Sequence, residues 1–449
     1  MIGTEFINIT DMERLITKKL QSWKGQSKRK PMILRGARQV GKTWVVVNFG
    51  QKFFEGRVHV VDLERNPDWH RIFEVNLDAS RIISELEILL NNRIVPGKDL
   101  LFFDEVQSCP RAIMALRYFY EELPELHVIA AGSLLEFAFS DISFPVGRVQ
   151  ILNIYPLSFL EFLLAAGKKL AAEIVQAAPV TQQDSVHRML LEEIRKYMFV
   201  GGMPECVLAY IRAGSMRDAI EIQADLVNTF REDFSKYAPF SDKRCLNAVF
   251  TAISRNIGNQ IKYSNLAEGF TNPTIKKAFD LLCLAQVVRK VPAASPAGLP
   301  LGASASERKF KALMMDVGVM QHLCGMPVKF EYAKSDLLAI YQGALAEQFV
   351  GQELLAACQE EVHYWARDAK SSTAEVDFLV VVGGKIYPVE IKSGTSGRLR
   401  SLHLLLQTYP NCPAGYVFSM APYSRLPEQK LIFLPLYYVY SAIADLEHN

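Results

Sequence analysis

The chain has 449 residues, which is too long for one ordinary core, so two to four domains are expected. Half the residues are hydrophobic and 22% are charged, a balance that excludes a disordered chain. The net charge of +2 excludes a global field for gripping nucleic acid, so any such contact must come from a local basic patch. The seven cysteines are scattered and show no C-x-x-C spacing, which argues against a disulfide framework or structural zinc and for a reducing cytoplasm. Residues 1–10 lack the basic and apolar regions of a signal peptide, and no apolar run reaches the ~18 residues of a membrane span.

In chain order, residues 11–23 read as a short helix, followed by a solvated basic run at 24–30. Strands are expected at 32–35, 58–63, 100–103, 128–131 and 149–154, with helices at 76–90 and 111–122 between them. That alternation predicts an α/β core, a parallel sheet covered on both faces. Residues 162–237 read as helix broken near Pro179 and at Gly201-Gly202-Met203-Pro204, a candidate lid. A new segment starts at 243, and a proline-, glycine- and serine-rich stretch covers 292–306. Beyond 341 come a helix at 343–358 and strands at 362–366, 376–382 and 385–392, with Gly383-Gly384 as a hairpin signal. The domain boundaries so read are an α/β core at 1–162, a helical lid at 163–240, a third domain at 241–335 and a last α/β domain at 336–449. There is no internal repeat.

Gly36-Ala37-Arg38-Gln39-Val40-Gly41-Lys42-Thr43 fits G-x-x-x-x-G-K-T after an apolar strand. Glycines let backbone N–H groups close on phosphate oxygens, and the following helix turns its positive end to the anion. Lys42 is placed to reach the terminal phosphates of ATP, and the Thr43 hydroxyl to ligate Mg2+. Trp44-Val45-Val46-Val47 has strand propensity, yet the loop geometry demands a helix there. Leu100-Leu101-Phe102-Phe103 forms a buried strand that delivers Asp104 to the magnesium shell and Glu105 to the attacking water. Ser133, closing the next apolar strand, is a candidate for touching the γ-phosphate. Arg148, in a glycine turn, is a candidate arginine finger for its own nucleotide or a neighbour's, which makes a homo-oligomer an expected partner.

These residues resemble the AAA-type P-loop ATPases of bacteria and archaea that carry a C-terminal region catalogued as DUF4143. The resemblance runs through Arg35-Gly36-Ala37-Arg38-Gln39-Val40-Gly41-Lys42-Thr43, Phe103-Asp104-Glu105-Val106-Gln107, Ala131-Gly132-Ser133 and Val146-Gly147-Arg148-Val149. It continues in Tyr155-Pro156-Leu157-Ser158-Phe159, Gly201-Gly202-Met203-Pro204, Asp316-Val317-Gly318 and Val389-Glu390-Ile391-Lys392, and covers nearly all of residues 10–440. It implies a P-loop core, a winged-helix segment and a domain similar to PD-(D/E)XK nucleases. The chain departs from commoner AAA proteins at Ser133, where asparagine or threonine is frequent.

Residues 261–285 read as helix-turn-helix, with Leu266 and Ala267 on the first helix, Gly269 in the turn and Asn272 capping a second helix that begins with Pro273. Ile275, Ala278, Phe279, Leu282 and Cys283 face a core at helical spacing, and Lys276 and Lys277 point outward toward candidate DNA. In the last domain, the strand period of two puts Glu390 and Lys392 on one face, Asp377 on the neighbouring strand reaches it, and Glu347 approaches from a helix. Three carboxylates that hold a metal and a lysine that steadies a nucleophilic water are what metal-assisted phosphodiester hydrolysis needs. Two functions follow: an ATPase coupled to a DNA-directed nuclease-like domain, or a regulatory ATPase whose C-terminal domains only bind partners.

Overall fold

The computed structural model describes residues 12–133, 135, 144–237, 241–325, 342–359, 361–367, 374–392 and 399–448. The chain divides into two compact units, residues 1–155 and 156–449.

In the first unit, β1 (Met32–Arg35), β2 (Val58–Asp62), β3 (Leu100–Asp104), β4 (His127–Gly132) and β5 (Gln150–Asn153) form one sheet in the order β2-β3-β4-β1-β5. Every pairing is parallel. β3 and β4 are buried along their whole length, which is why they read as unbroken apolar runs. Ile82, Leu86, Ile113, Leu116 and Phe119 from helices Ala79–Leu90 and Pro110–Glu122 pack on Ile33, Leu101, Phe103 and Val128. Helix Lys42–Phe53 forms despite its β-branched run, with Val45, Val46 and Phe49 buried, so burial overrides propensity. It lies so close to the sheet that a Cβ on Gly50 would stand 2.3 Å from Val58 Cγ2. The first helix is Ile16–Lys24 and buries Ile16, Leu20 and Trp23.

The second unit opens with helices Phe159–Ala165, Lys169–Gln176, Asp184–Val200, Pro204–Ala213 and Met216–Tyr237. The break at Gly201 is real, with φ +75. Helices Lys243–Arg255 and Asn272–Leu284 follow and pack on the antiparallel pair β6 (Val288–Pro292) and β7 (Phe310–Met314). The first helix expected within 261–285 is replaced by a single 3-10 turn, Tyr263–Asn265. Ile261 N–H donates to Phe310 O at 2.8 Å, and the Tyr263 ring packs edge-on against Phe279 and tilted against Phe310, so the segment is drawn into the hairpin instead of coiling. The cap of the next helix is Thr271, one residue before Asn272.

The last part is a six-stranded mixed sheet of β8 (His363–Ala366), β9 (Glu375–Val382), β10 (Lys385–Ile391), β11 (Gly415–Ser419), β12 (Ser424–Leu426) and β13 (Leu431–Pro435). Its order is β12-β13-β11-β10-β9-β8. Gly383 and Gly384, at φ +56 and +72, turn β9 into β10, as their sequence signals. Helix Gln342–Cys358 supports this sheet and is buried nearly all round. Among the described residues no helix is long and apolar enough to cross a membrane.

Candidate functional site

The phosphate loop leaves the C-terminal end of β1 and enters helix Lys42–Phe53. Gly41 stands at φ +88, the left-handed region that an L side chain resists, and Gln39 takes φ +63 beside it. Gly36 admits no side chain, since a Cβ would meet Ile154 O at 2.3 Å. Lys42 is buried, and its Nζ donates to Gly36 O at 3.0 Å and Ala37 O at 2.8 Å. Burial lowers its ammonium to about 8, against the attraction of Glu105 and Asp104 and with a smaller push from Arg38. Val40 packs in the core, and its carbonyl accepts from Arg14 at 3.0 Å, which anchors the middle of the loop.

β3 ends beside this loop. Thr43 Oγ1 donates to Asp104 Oδ2 at 2.7 Å, and burial raises the Asp104 carboxyl. A hydroxyl and a carboxylate meeting at a helix N-terminus next to a phosphate loop fit Mg2+, a hard cation that takes oxygen donors. Glu105 follows in the left-handed region, with φ +47 and ψ +45. β4 runs beside β1 with Gly132 opposite Arg35, so Ser133 emerges at the loop's level; it is buried, and its Oγ has no partner among the described residues.

Arg148 lies elsewhere. It precedes β5, whose Gln150 pairs with Met32 at the start of β1, while the phosphate loop begins after Arg35 at the other end. Some five residues of strand, about 16 Å, separate the two levels. Arg148 Nε donates to Glu121 Oε1 at 2.8 Å, near the C-terminus of helix Pro110–Glu122. The side chain is thereby held at the opposite end of the strands from the phosphate loop.

In the second unit, Glu347, Asp377 and Glu390 do come together, but not as metal ligands. Lys311, the second residue of β7, drives its ammonium among them: Nζ lies 2.8 Å from Glu347 Oε1, 2.6 Å from Glu375 Oε1 and 3.5 Å from Asp377 Oδ1. Burial alone would lower this ammonium, yet Glu347, Asp377 and Glu375 carry it well above the ordinary lysine range. Asp377 Oδ2 accepts from Ile391 N–H at 2.8 Å, and Glu390 Oε1 from Lys392 Nζ at 2.6 Å. Burial and the Asp377 charge raise the carboxyls of both Glu347 and Glu390. Among the described residues no three His, Cys, Asp or Glu side chains are arranged to hold a metal. The expected ligand set does not fit a divalent ion here, because a lysine supplies the positive charge. Sequence reading missed Lys311 and Glu375. The available signal was a lysine inside the otherwise apolar Phe310–Met314, a charge that must find a partner.

A strand, phosphate loop and helix, with an acid-ended strand beside them in a five-stranded parallel sheet, define the AAA-type P-loop ATPases. Residues 28–163 match the family model described as AAA domain, and residues 342–438 match DUF4143, a domain of unknown function. The chain thus carries an AAA-type P-loop domain followed by a C-terminal DUF4143 region. Residues 191–329 match a further domain of unknown function, DUF8612. No curated protein matches. Among solved structures, the Walker-type ATPase PABY2304 of Pyrococcus abyssi is 16% identical over 69% of this chain and 94% of its own, with a TM-score of 0.43. The Thermotoga maritima RuvB Holliday junction branch migration motor is 15% identical over 64% and 94%, with a TM-score of 0.29. The Aeropyrum pernix ORC1 protein in complex with DNA is 10% identical over 71% and 92%, with a TM-score of 0.27.

Proposed function

We propose that ATP is hydrolysed at the phosphate loop and that the nucleotide state governs what the C-terminal region holds. The observation that carries this reading is the contact of Thr43 with Asp104 directly beside Lys42 and Glu105. Loop N–H groups from Gly36 to Gly41 and the Lys42 ammonium cradle the β- and γ-phosphates. Thr43 and Asp104 would hold magnesium, which supplies positive charge to the phosphate oxygens when bound. Glu105 accepts a proton from water as the water oxygen bonds to the γ-phosphorus. The bond to the bridging oxygen breaks, and its electron pair leaves on ADP. Ser133, with its unpartnered hydroxyl, faces the transferred phosphate. Arg148 serves the nucleotide of a neighbouring copy. The test is turnover of Lys42→Ala and Glu105→Gln; wild-type rates in either would refute its assigned role.

For the C-terminal region, the Lys311 ammonium favours partner binding over metal-dependent DNA cleavage, since it neutralises the carboxylates a metal would need. DNA is the partner assigned to the segment of helices Lys243–Arg255 and Asn272–Leu284 with the β6–β7 hairpin. Its support is Lys276 and Lys277, exposed side by side on the second helix. ATPase and nuclease assays on one preparation, with and without DNA and manganese, separate the readings. DNA-stimulated ATPase without cleavage is the expected result, and cleavage abolished by Asp377→Ala would restore the nuclease.

A further inference from the structure

We infer that Gln107 is the positioning residue of the hydrolytic centre, holding the Glu105 carboxylate in the direction from which it activates water. The inference rests on the reading of Glu105 as the water-activating group. Gln107 Nε2 donates to Glu105 Oε2 at 2.5 Å. A carboxylate can only accept, so the amide's nitrogen end must face Glu105 and its carbonyl end must face away. That carbonyl, Oε1, is buried and has no hydrogen-bond partner among the described residues. It lies against Gly132, where a Cβ would stand 2.2 Å from it. Gly132 therefore keeps open the space that the amide occupies between the end of β4 and Glu105.

The backbone here is fixed as well. Glu105 adopts the left-handed region, which a non-glycine residue holds only when its surroundings impose it. Ser108 Oγ and N–H both donate to Glu105 O, at 2.6 and 3.0 Å, and close the turn. The turn sets where Glu105 leaves the backbone, and Gln107 sets where its carboxylate ends. With Oε2 engaged by the amide, Oε1 of Glu105 remains to take the water's proton. The Gln107 carbonyl and the Ser133 hydroxyl flank the end of β4.

The test compares Gln107→Ala, the same-sized Gln107→Glu and Glu105→Gln with wild type in full-length protein. The readouts are kcat, KM, affinity for a fluorescent ATP analogue and the thermal midpoint. Both Gln107 variants should lose about 10–100-fold in kcat, the cost of a misdirected catalytic group, with KM and affinity within about twofold. The Glu105→Gln/Gln107→Ala pair should be no slower than Glu105→Gln alone, because a positioning residue has nothing left to position. Wild-type kcat in Gln107→Ala, with Glu105→Gln slow, overturns the inference while sparing Glu105. Wild-type kcat in Glu105→Gln refutes the Glu105 reading itself. A parallel loss of affinity or midpoint with kcat would make Gln107 structural and would also overturn it.

Discussion

At the phosphate loop, Lys42 is both the cation proposed for ATP and a buried amine whose charge is costly. Because burial brings its ammonium to about 8, the charge is present below that pH and lost above it. Bound phosphate favours the charged form, so the affinity for ATP should weaken as pH rises from about 8 toward 10, approaching ~tenfold per unit. Fluorescent nucleotide titration across that range checks it, and an affinity flat with pH would mean that Lys42 keeps its proton. Lys42→Ala should remove the pH dependence together with turnover. Glu105→Gln keeps the phosphate cation and loses only the base, so ATP should stay bound while hydrolysis slows by about 10²–10⁴-fold. A rapid-quench measurement of single-turnover hydrolysis separates that chemical step from product release.

Helix Gln342–Cys358 shows what the sequence does and does not reveal about elements. Its length and type are legible, but its polar side chains are turned inward, and each ties down a different backbone. Gln348 donates to Met314 O and accepts from Met314 N–H, at 2.8 and 2.9 Å. Gln352 accepts from Val317 N–H at 2.9 Å and donates to the Tyr197 hydroxyl at 2.6 Å. Glu353 accepts from Phe159 N–H at 2.9 Å, and burial raises its carboxyl to about 8. Gln348→Leu leaves two buried backbone groups without partners, at roughly 1–3 kcal/mol each, so the urea midpoint of the second unit should fall clearly. An unchanged midpoint would mean that water replaces the amide. The phosphate loop and β3 were legible because their signals are local: a glycine pattern, an apolar run and acids at its end. Lys311 was not, since its partners come from a helix and a strand 36 and more residues away. The turn at 263–265 was also hidden, because its fate depends on Phe310. Lys311→Met should free Glu347 and Asp377 and let the cluster take Mn2+, measured by calorimetry, whereas wild type takes none; manganese binding by wild type would show that the lysine yields to metal.

At the scale of the whole molecule, the question is whether one chain completes its own catalytic site. The phosphate loop, Asp104 and Glu105 sit at the C-terminal ends of the parallel strands, and Arg148 sits at the opposite end with Glu121. Beside Arg148 the turn exposes Val146 at 80%, an apolar tip next to a cation on the surface. If Arg148 serves the neighbour's nucleotide, a catalytic site takes its loop and Glu105 from one copy and its arginine from the next, a head-to-tail arrangement. Arg148→Ala should then lower turnover by about 10³-fold or more while ATP affinity holds, because the arginine acts on transition-state charge. Complementation decides the matter. Glu105→Gln retains Arg148 but no base, and Arg148→Ala retains the base but no arginine, so each alone should be nearly inactive. Mixed in equal amounts, they should form intact sites wherever an Arg148→Ala loop meets a Glu105→Gln neighbour, about one quarter of all sites under random assembly. The mixture should regain up to that fraction of wild-type turnover, and size-exclusion chromatography with ATP should show an oligomer. No recovery from an oligomeric mixture would assign Arg148 to its ion pair with Glu121 alone. Full activity of Arg148→Ala by itself would remove it from catalysis altogether.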